Sequence, residues 1–295
     1  AGFPPTAFLI GAQKCATTFF ASALRQHPDV CVAEPKEPDY FTAHYENSLA
    51  WYRRCFSAPE RAVLLDASTS YSVAPTDPSR QVANNPTWGV PERIAELSPN
   101  ARFVYLIRNP VDRAYAAYWH AVRTGYEDRA FASAIVGNPG YLDGSRYFFQ
   151  TAQYIRVFGW ERVLILDMND VVQTPAYACA SVWNFLGLSE FEITDIERTP
   201  KNASYSYNLL GELLFRKIFV RRFTQPLAAM AKHILPSAVY DQLKNKVTRK
   251  IPSMTEAERE YVWDFIKEDA AEFSRLTGID FTQRRPKADR ETVAA

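Results

Sequence analysis

Two short apolar segments, each followed at once by a basic turn and a helical pattern, constrain the fold of this chain more than any other feature. The first covers residues 8–18 and contains Lys14, and the second covers residues 102–113 and contains Arg108. In each, a buried strand runs into a helix whose first backbone N–H groups can converge on an anion. Each segment therefore predicts a phosphate site, and two sites predict a ligand with two separated phosphates.

Local signals support this interpretation of both segments. In the first, residues 8–10 read as a strand, 11–16 as a loop and 17–25 as a helix, with Lys14 adding a full positive charge. In the second, Asn109 is placed to cap a helix, and Pro110 suits the first helical position, where its missing N–H is not needed. We therefore expect Arg108 at the carboxyl end of its strand.

Apolar runs of strand length recur along the chain and alternate with helical patterns, which predicts an α/β fold with a parallel sheet. The predicted strands are residues 7–10, 62–65, 103–107 and 163–166, and the predicted helices are residues 17–25, 91–97, 110–123, 146–158 and 176–186, the last ended by Gly187. Ligands of such sheets bind outside the carboxyl ends of the strands, so both phosphate sites are predicted to face one cleft.

The remaining chain reads as loops and a helical extension. Residues 84–90 and 136–145 are predicted to be exposed connections that border the ligand-binding cleft. From about residue 206 the pattern is wholly helical, and residues 253–256 form a capping box for a helix to about Thr277, followed by Gly278. We expect one domain over residues 1–295, with a core at about 7–205 and a helical C-terminal part at about 206–285.

Composition narrows the class of protein. With 295 residues, 47% of them hydrophobic, the chain can bury a full core, and its net charge of +1 gives no overall attraction to nucleic acid or membranes. The four cysteines and four histidines show no metal-ligand or disulfide spacing, so no metal is expected. No apolar run is long enough for a membrane span and no signal peptide is recognisable, which favours a cytoplasmic location.

The first loop differs from the common nucleotide-binding loop. A Walker A motif needs Gly-x4-Gly-Lys-Ser/Thr, but Lys14 follows Gly11 by only three residues, and no second glycine precedes it. This spacing argues against an ordinary ATPase.

The spacing instead resembles the sulfotransferase family, whose first loop reads Lys-x-Gly-Thr-Thr and whose second motif carries an Arg and, eight residues later, a Ser. Further similar segments extend the resemblance over about residues 7–205: 37–41, which resembles Lys-Glu-Pro-His-Phe-Phe, 66–71, 147–154 and 163–170. The chain is most similar to the branch with the carbohydrate, heparan-type enzymes and many bacterial relatives.

The resemblance implies a P-loop-like three-layer fold in which a central parallel sheet is flanked by helices. It also implies transfer of a sulfuryl group from 3′-phosphoadenosine 5′-phosphosulfate (PAPS) to a hydroxyl or amine of a sugar or small molecule, without a metal. The implied catalytic residues are Glu37, as general base, and Lys14. The implied donor-binding positions are Gln13, Lys14, Cys15, Ala16, Thr17, Thr18, Arg108 and Ala116.

Two positions depart from the family pattern. Ala16 stands where Gly is usual, and Ala116 stands where the Ser that binds the 3′-phosphate is usual. Because Ala has less backbone freedom than Gly, and because a missing hydroxyl removes a hydrogen bond to a charged group, we expect donor binding to be weakened or compensated.

Several assignments stay open at this point. Glu34, Asp66 and His120 are alternative bases, and His120 alone is more typical of a helix surface. The residues that could contact the acceptor are Lys36, Ser68, Tyr71 and His120, although a surface salt bridge explains Lys36 equally well. Tyr147 and Tyr154 are expected to pack their helix.

The alternative functions are a P-loop-like nucleotide kinase and a non-catalytic nucleotide-binding relative. The expected partner is a carbohydrate or small-molecule acceptor, with no nucleic acid and no membrane. Since the sequence does not begin with Met, a trimmed anchor of the kind found in Golgi relatives is compatible with it. The acceptor and the oligomeric state are not predicted.

Overall fold

A central sheet of five parallel strands forms the framework of the protein. The computed structural model describes residues 2–194, 205–207, 246 and 248–282. The strands are β1 (Ala7–Gly11), β2 (Val30–Val32), β3 (Val63–Asp66), β4 (Arg102–Ile107) and β5 (Val163–Asp167), in the order β2-β3-β1-β4-β5. All five residues of β1 are buried, as expected for a strand covered on both faces.

Helices flank this sheet. They are α1 (Thr17–Leu24), α2 (Leu49–Arg54), α3 (Val90–Leu97), α4 (Pro110–Thr124), α5 (Phe131–Gly137), α6 (Gly140–Asp143), α7 (Tyr147–Phe158), α8 (Met168–Gln173), α9 (Pro175–Leu186) and α10 (Glu256–Thr277). The predicted α/β fold with a central parallel sheet is confirmed. The four predicted strands and five predicted helices are present with their ends shifted by about one residue.

The predicted helix signals at α4 and α9 are present. The Asn109 side chain accepts hydrogen bonds from the backbone N–H groups of Val111 and Asp112 at 3.1 and 3.2 Å, and Pro110 occupies the first turn. Gly187 ends α9 in the left-handed conformation, with φ 74°. These local interactions fix where both helices begin or end.

The C-terminal part differs from the expectation in two ways. Residues 205–207 and 248–250 pair as antiparallel strands β6 (Tyr205–Tyr207) and β7 (Thr248–Lys250), so this part is not wholly helical. The capping box of α10 is formed by Thr255 and Glu258 rather than by residues 253–256. The same spacing of Ser/Thr and Glu occurs twice in the sequence, and the second copy closes the reciprocal hydrogen bonds.

Helix α10 packs onto the core. Its buried residues Val262, Ile266 and Phe273 join two apolar clusters that include residues of α4 and α7. The Asp269 carboxylate of α10 accepts hydrogen bonds from the backbone N–H groups of Phe148 and Phe149 at 3.0 and 2.8 Å. Asp269 thus caps the start of α7, because Arg146, the N-cap residue of that helix, makes no capping hydrogen bond with its own side chain. The other predicted C-terminal helical residues, including 208–245, lie outside the described residues.

The sheet order positions the functional site. From β1 the chain moves to β2 and β3 on one side, and then to β4 and β5 on the other. The loops that follow β1 and β4 therefore diverge from two neighbouring strands at their carboxyl ends, where open α/β sheets bind ligands. Over the residues described above, no helix has the length and apolarity that a membrane crossing requires.

Candidate active site

The loop after β1 makes a tight turn against the sheet. At Gly11, φ is 148°, and an added Cβ would lie 2.1 Å from Ser72 Oγ. Ser72 Oγ in turn donates a hydrogen bond to the Ile10 carbonyl at 2.7 Å, so it is held in place. The backbone N–H of Ala12 donates to the Leu106 carbonyl at 2.7 Å. Only glycine fits at position 11, because both the space and the backbone angle exclude a side chain.

The loop continues in a left-handed conformation into α1. Both Lys14 and Ala16 have positive φ, at 73° and 60°. Ala16 is the N-cap of α1 and makes no side-chain hydrogen bond there, so no side chain of the loop caps the first N–H groups of the helix. This arrangement leaves the helix start able to receive an anion.

We expect Ala16→Gly to raise the thermal unfolding midpoint, because a left-handed Ala costs roughly 1–2 kcal/mol that Gly avoids. Part of this gain is offset by the greater freedom of Gly in the unfolded chain. The matched control is Ala23→Gly, a buried position inside α1, which should lower the midpoint. A lower midpoint for Ala16→Gly would show that the left-handed turn is not strained.

Lys14 lies in a strongly positive and partly buried environment. The pKa of Lys14 is lowered to about 8, chiefly by burial and also by the positive charges of Arg123 and Arg108. Arg108 Nη1 also donates a hydrogen bond to the Lys14 carbonyl at 3.4 Å. The basic residues that follow β1 and β4 are therefore brought together, and a bound anion would relieve their mutual repulsion.

Beside the loop after β1 lies a cleft of about 410 Å³. Gln13 of the loop, Glu37 and His120 of α4 all line it. This volume lies within the range of small-molecule sites. The Glu37 carboxylate, the His120 imidazole and Gln13 of the loop after β1 therefore line the same cleft.

The segment that carries Glu37 has an unusual backbone. Glu37 and Asp39 both have positive φ, at 61° and 49°, and together with Lys14 and Ala16 they are the non-glycine residues with positive φ among those that the structure describes. All four lie in the two loops that border the site. Such conformations persist only where the surroundings impose them, and they concentrate at functional sites.

Lys36 forms an ion pair with Glu37. Its Nζ lies 2.7 Å from Glu37 Oε1, and the Glu37 side chain remains 39% exposed. The salt bridge that the sequence left open for Lys36 is therefore present, and it orients the Glu37 carboxylate. A contact between Lys36 and the acceptor stays a prediction.

A buried polar network supports this segment from below. The Asp66 carboxylate accepts hydrogen bonds from the hydroxyls of Tyr52, Ser68 and Tyr71 at 2.6, 2.6 and 2.8 Å. Ser68 Oγ then accepts from the Asp39 N–H at 3.0 Å, and the Tyr71 hydroxyl accepts from the Phe41 N–H at 3.3 Å. The network thus fixes the backbone on the C-terminal side of Glu37.

This network bears on two sequence-based predictions. Ser68 and Tyr71, which the resemblance placed on the acceptor side, are buried and do not line the cleft. Asp66, an alternative base, has no exposed surface. Burial raises the pKa of Asp66 to about 6, against the lowering effect of its three hydroxyl donors. The sequence shows that polar residues occur here, but it does not show that their side chains form hydrogen bonds with one another.

The other two alternative bases have different surroundings. The Glu34 side chain is 65% exposed and pairs with Arg25, away from the cleft lining. His120 does line the cleft, and its Nδ1 lies 2.9 Å from Arg123 Nη2. His120 is therefore the alternative base that lines the same cleft as Glu37, although its sequence context alone is more typical of a helix surface.

The remaining predicted donor-site residues lie in or near the two loops. Cys15 is fully buried, its thiol pKa is raised to about 11 by burial, and its N–H donates to the Ala12 carbonyl at 3.0 Å. Thr17 is buried and Thr18 exposed at the start of α1, and Ala116 is half-buried on α4. Their contacts with a donor stay predictions.

Two residues near the site were missed by the sequence analysis. Asp39 lines the cleft, and Arg123 acts electrostatically on Lys14 from the last turn of α4. Asp39 lies in the same short segment as Glu37, which is a usable signal. Arg123 follows Arg108 by fifteen residues, and only the course of α4 brings it back to the loop. Among the residues that the structure describes, no group of three or more His, Cys, Asp or Glu side chains is arranged to hold a metal ion.

Two curated relatives of this chain are heparan sulfate enzymes by name. The mouse heparan sulfate glucosamine 3-O-sulfotransferase 3A1 is 29% identical over 201 residues, which cover 65% of this chain and 47% of that protein. The human bifunctional heparan sulfate N-deacetylase/N-sulfotransferase 2 is 26% identical over 210 residues, covering 63% of this chain and 22% of that protein. The match thus spans about half the length of the first of these relatives and a smaller share of the second.

A solved structure shares the fold. The sulfotransferase from Alicyclobacillus acidocaldarius superposes with a TM-score of 0.66 at 21% identity, and the match covers 96% of this chain and 99% of that one. The family model described as the sulfotransferase domain matches residues 4–207, a range that contains both basic loops and the Glu37 segment. The chain therefore belongs to the sulfotransferase domain family.

Proposed function

We propose that the protein transfers a sulfuryl group from PAPS to a hydroxylated acceptor and releases adenosine 3′,5′-bisphosphate. The observation that carries this proposal is the meeting of two basic strand-to-helix turns beside one small-molecule cleft. Arg108 of the second turn donates to the Lys14 carbonyl of the first at 3.4 Å, and Gln13, next to Lys14, lines the cleft that contains Glu37. Membership of the sulfotransferase family supports the same activity.

The donor site is assigned by charge and backbone geometry. The left-handed turn and the open start of α1 suit the 5′-phosphosulfate, with Lys14 as its cation and Thr17 and Thr18 at the helix start. Arg108, at the start of α4, suits the 3′-phosphate. When bound, PAPS supplies an activated sulfuryl group.

Each residue then has a distinct chemical task. The bond between sulfur and the bridging phosphate oxygen breaks, the acceptor oxygen forms the new bond to sulfur, and the acceptor proton passes to Glu37. Lys14 stabilises the negative charge that develops on the departing phosphate. Glu37 is suited to accept the proton because its carboxylate is partly exposed in the cleft and oriented by Lys36.

A transfer assay tests the proposed activity. Incubation with sulfur-labelled PAPS and a panel of hydroxylated acceptors should yield a labelled product together with an equal amount of adenosine 3′,5′-bisphosphate. Transfer of phosphate from ATP, with no transfer from PAPS to any acceptor, would support the kinase alternative and contradict this proposal.

Arg108→Ala is expected to discriminate between two nucleotide ligands, one with and one without a 3′-phosphate. It should lower the affinity for adenosine 3′,5′-bisphosphate by about tenfold or more, because a hydrogen-bonded ion pair with the 3′-phosphate is lost. Adenosine 5′-phosphosulfate lacks the 3′-phosphate, so its weaker binding should change little. Titration calorimetry with both ligands checks this, and an equal loss for both would assign Arg108 a folding role instead.

A further inference from the structure

The cleft beside the loop that follows β1 contains two carboxylate side chains. Glu37 and Asp39 both line it, two residues apart in the same left-handed segment. Burial raises the pKa of Asp39, and the negative charge of Glu37 acts in the same direction. A hydrogen bond from Ser70 and electrostatic interactions with His44 and Lys36 oppose this rise in pKa. Two carboxylates facing one cleft repel each other, and a bound cation would relieve that repulsion.

Asp39 is held in place with one oxygen unused. Ser70 Oγ donates to Asp39 Oδ1 at 2.6 Å, and the Asp39 backbone N–H donates to Ser68 Oγ at 3.0 Å. Within residues 2–194, 205–207, 246 and 248–282, no hydrogen bond occupies Asp39 Oδ2. A fixed carboxylate with an unused oxygen is suited to bind a donor group of a ligand.

The positive side chains around this cleft are engaged by the protein. Lys36 pairs with Glu37. Arg113 is buried, and its guanidinium donates to Ser145 Oγ at 2.6 Å and to the Tyr141 carbonyl. Arg123 hydrogen-bonds with His120. Among the described residues that line the cleft, Asp39 is therefore the carboxylate that no ion pair engages, whereas Glu37 is paired with Lys36.

We propose that the acceptor is a small hydroxylated molecule with a protonated amine, and that Asp39 is the specificity-determining residue that binds this ammonium group. The inference rests on the proposed sulfuryl transfer and deepens it. Binding of the ammonium at Asp39 places a neighbouring hydroxyl of the same molecule at Glu37. The negative groups of heparan sulfate, the substrate in the names of the two curated relatives above, would be repelled by the Asp39 carboxylate.

This assignment also selects the nucleophile. A protonated amine has no lone pair, so an ammonium group held by Asp39 cannot attack sulfur. The hydroxyl oxygen forms the bond to sulfur, its proton goes to Glu37, and the bisphosphate leaves with the electron pair of the broken bond. We therefore expect O-sulfation and an unmodified amine in the product.

Two matched series of acceptors test the inference with labelled PAPS. The first is D-glucosamine, N-acetyl-D-glucosamine and N-sulfo-D-glucosamine, and the second is tyramine, N-acetyltyramine and 4-hydroxyphenylacetate. In each series the varied group changes from positive to neutral to negative; it is next to a hydroxyl in the sugars and at the opposite end of the molecule from the hydroxyl in the phenols. We expect at least one cationic member to be sulfated on oxygen with kcat/KM about tenfold or more above its anionic counterpart.

Asp39→Asn gives the residue-specific test, because an amide oxygen can still accept the hydrogen bond from Ser70. It should lower kcat/KM for the cationic acceptor by about tenfold and leave the neutral acceptor within about twofold. Asp264→Asn is the matched control, since it removes one exposed negative charge on α10 outside the cleft lining. The control should change neither value.

The outcomes separate this inference from the proposed function. If adenosine 3′,5′-bisphosphate binds but the anionic members are preferred, or no cationic member is sulfated, the inference is wrong and the donor site stands. An unchanged preference in Asp39→Asn likewise overturns the role of Asp39. If neither the bisphosphate nor PAPS binds, the proposed function itself fails.

Discussion

Glu37→Gln is expected to reduce sulfuryl transfer by a factor on the order of 10² or more, because it removes the carboxylate that accepts the acceptor proton. The amide keeps the shape of the side chain and can still accept a hydrogen bond from Lys36, whose Nζ lies 2.7 Å from Glu37 Oε1. Binding of adenosine 3′,5′-bisphosphate should therefore remain close to that of the wild type. Steady-state turnover with labelled PAPS and calorimetry with the bisphosphate measure the two quantities.

The neighbouring Glu34 offers a matched control for this substitution. Glu34→Gln makes the same chemical change three residues away, where the side chain is exposed and pairs with Arg25. Its turnover should stay near wild type. If Glu37→Gln retains most of its activity, the base lies elsewhere, and His120, which shares the cleft, becomes the residue to replace.

Lys14→Ala is expected to lower both donor affinity and turnover, and kcat/KM for PAPS by a factor on the order of 10² to 10³. The reason is that the same charge attracts the phosphosulfate in the ground state and stabilises the leaving phosphate as its charge develops. Lys267→Ala, on the exposed face of α10, is the matched control. Unchanged turnover in Lys14→Ala would remove Lys14 from the mechanism.

The lowered pKa of Lys14 gives this prediction a pH dependence. With a pKa of about 8 in the free protein, Lys14 is mostly charged at pH 7 and mostly neutral at pH 9. A bound phosphate favours the charged form, so binding takes up a proton above pH 8 and weakens as the pH rises. Calorimetry in buffers of different ionisation enthalpy should show this uptake in the wild type and its loss in Lys14→Ala.

The sequence was sufficient to predict the framework and the two basic turns. The strand at residues 103–107, the Asn109 cap and Pro110 were predicted because each depends on residues close together in the chain. In contrast, the three-residue strand β2 and the short helices α5 and α6 were not predicted. Segments of that length have no readable periodicity, and their formation depends on tertiary packing.

The cleft was less predictable than the framework. Residues 84–90 are a connection as predicted, but 136–145 contain the end of α5 and all of α6, and Asn138 and Tyr141 of this segment line the cleft. Ser68 and Tyr71 were assigned to the acceptor side, although their hydroxyls are used by Asp66 in the interior. Such mutual satisfaction of polar groups depends on contacts between distant segments, which no local pattern contains.

The most direct test of the central claim compares two isomeric nucleotides by calorimetry in the presence of a chelator. Adenosine 3′,5′-bisphosphate and adenosine 5′-diphosphate carry the same number of phosphates, but only the first places them on opposite sides of the ribose. If Lys14 and Arg108 bind two separated phosphates, the bisphosphate should bind about tenfold or more tightly than the diphosphate, without magnesium. Equal affinities would contradict the account, and so would tight binding of ATP after magnesium replaces the chelator, with no binding of the bisphosphate.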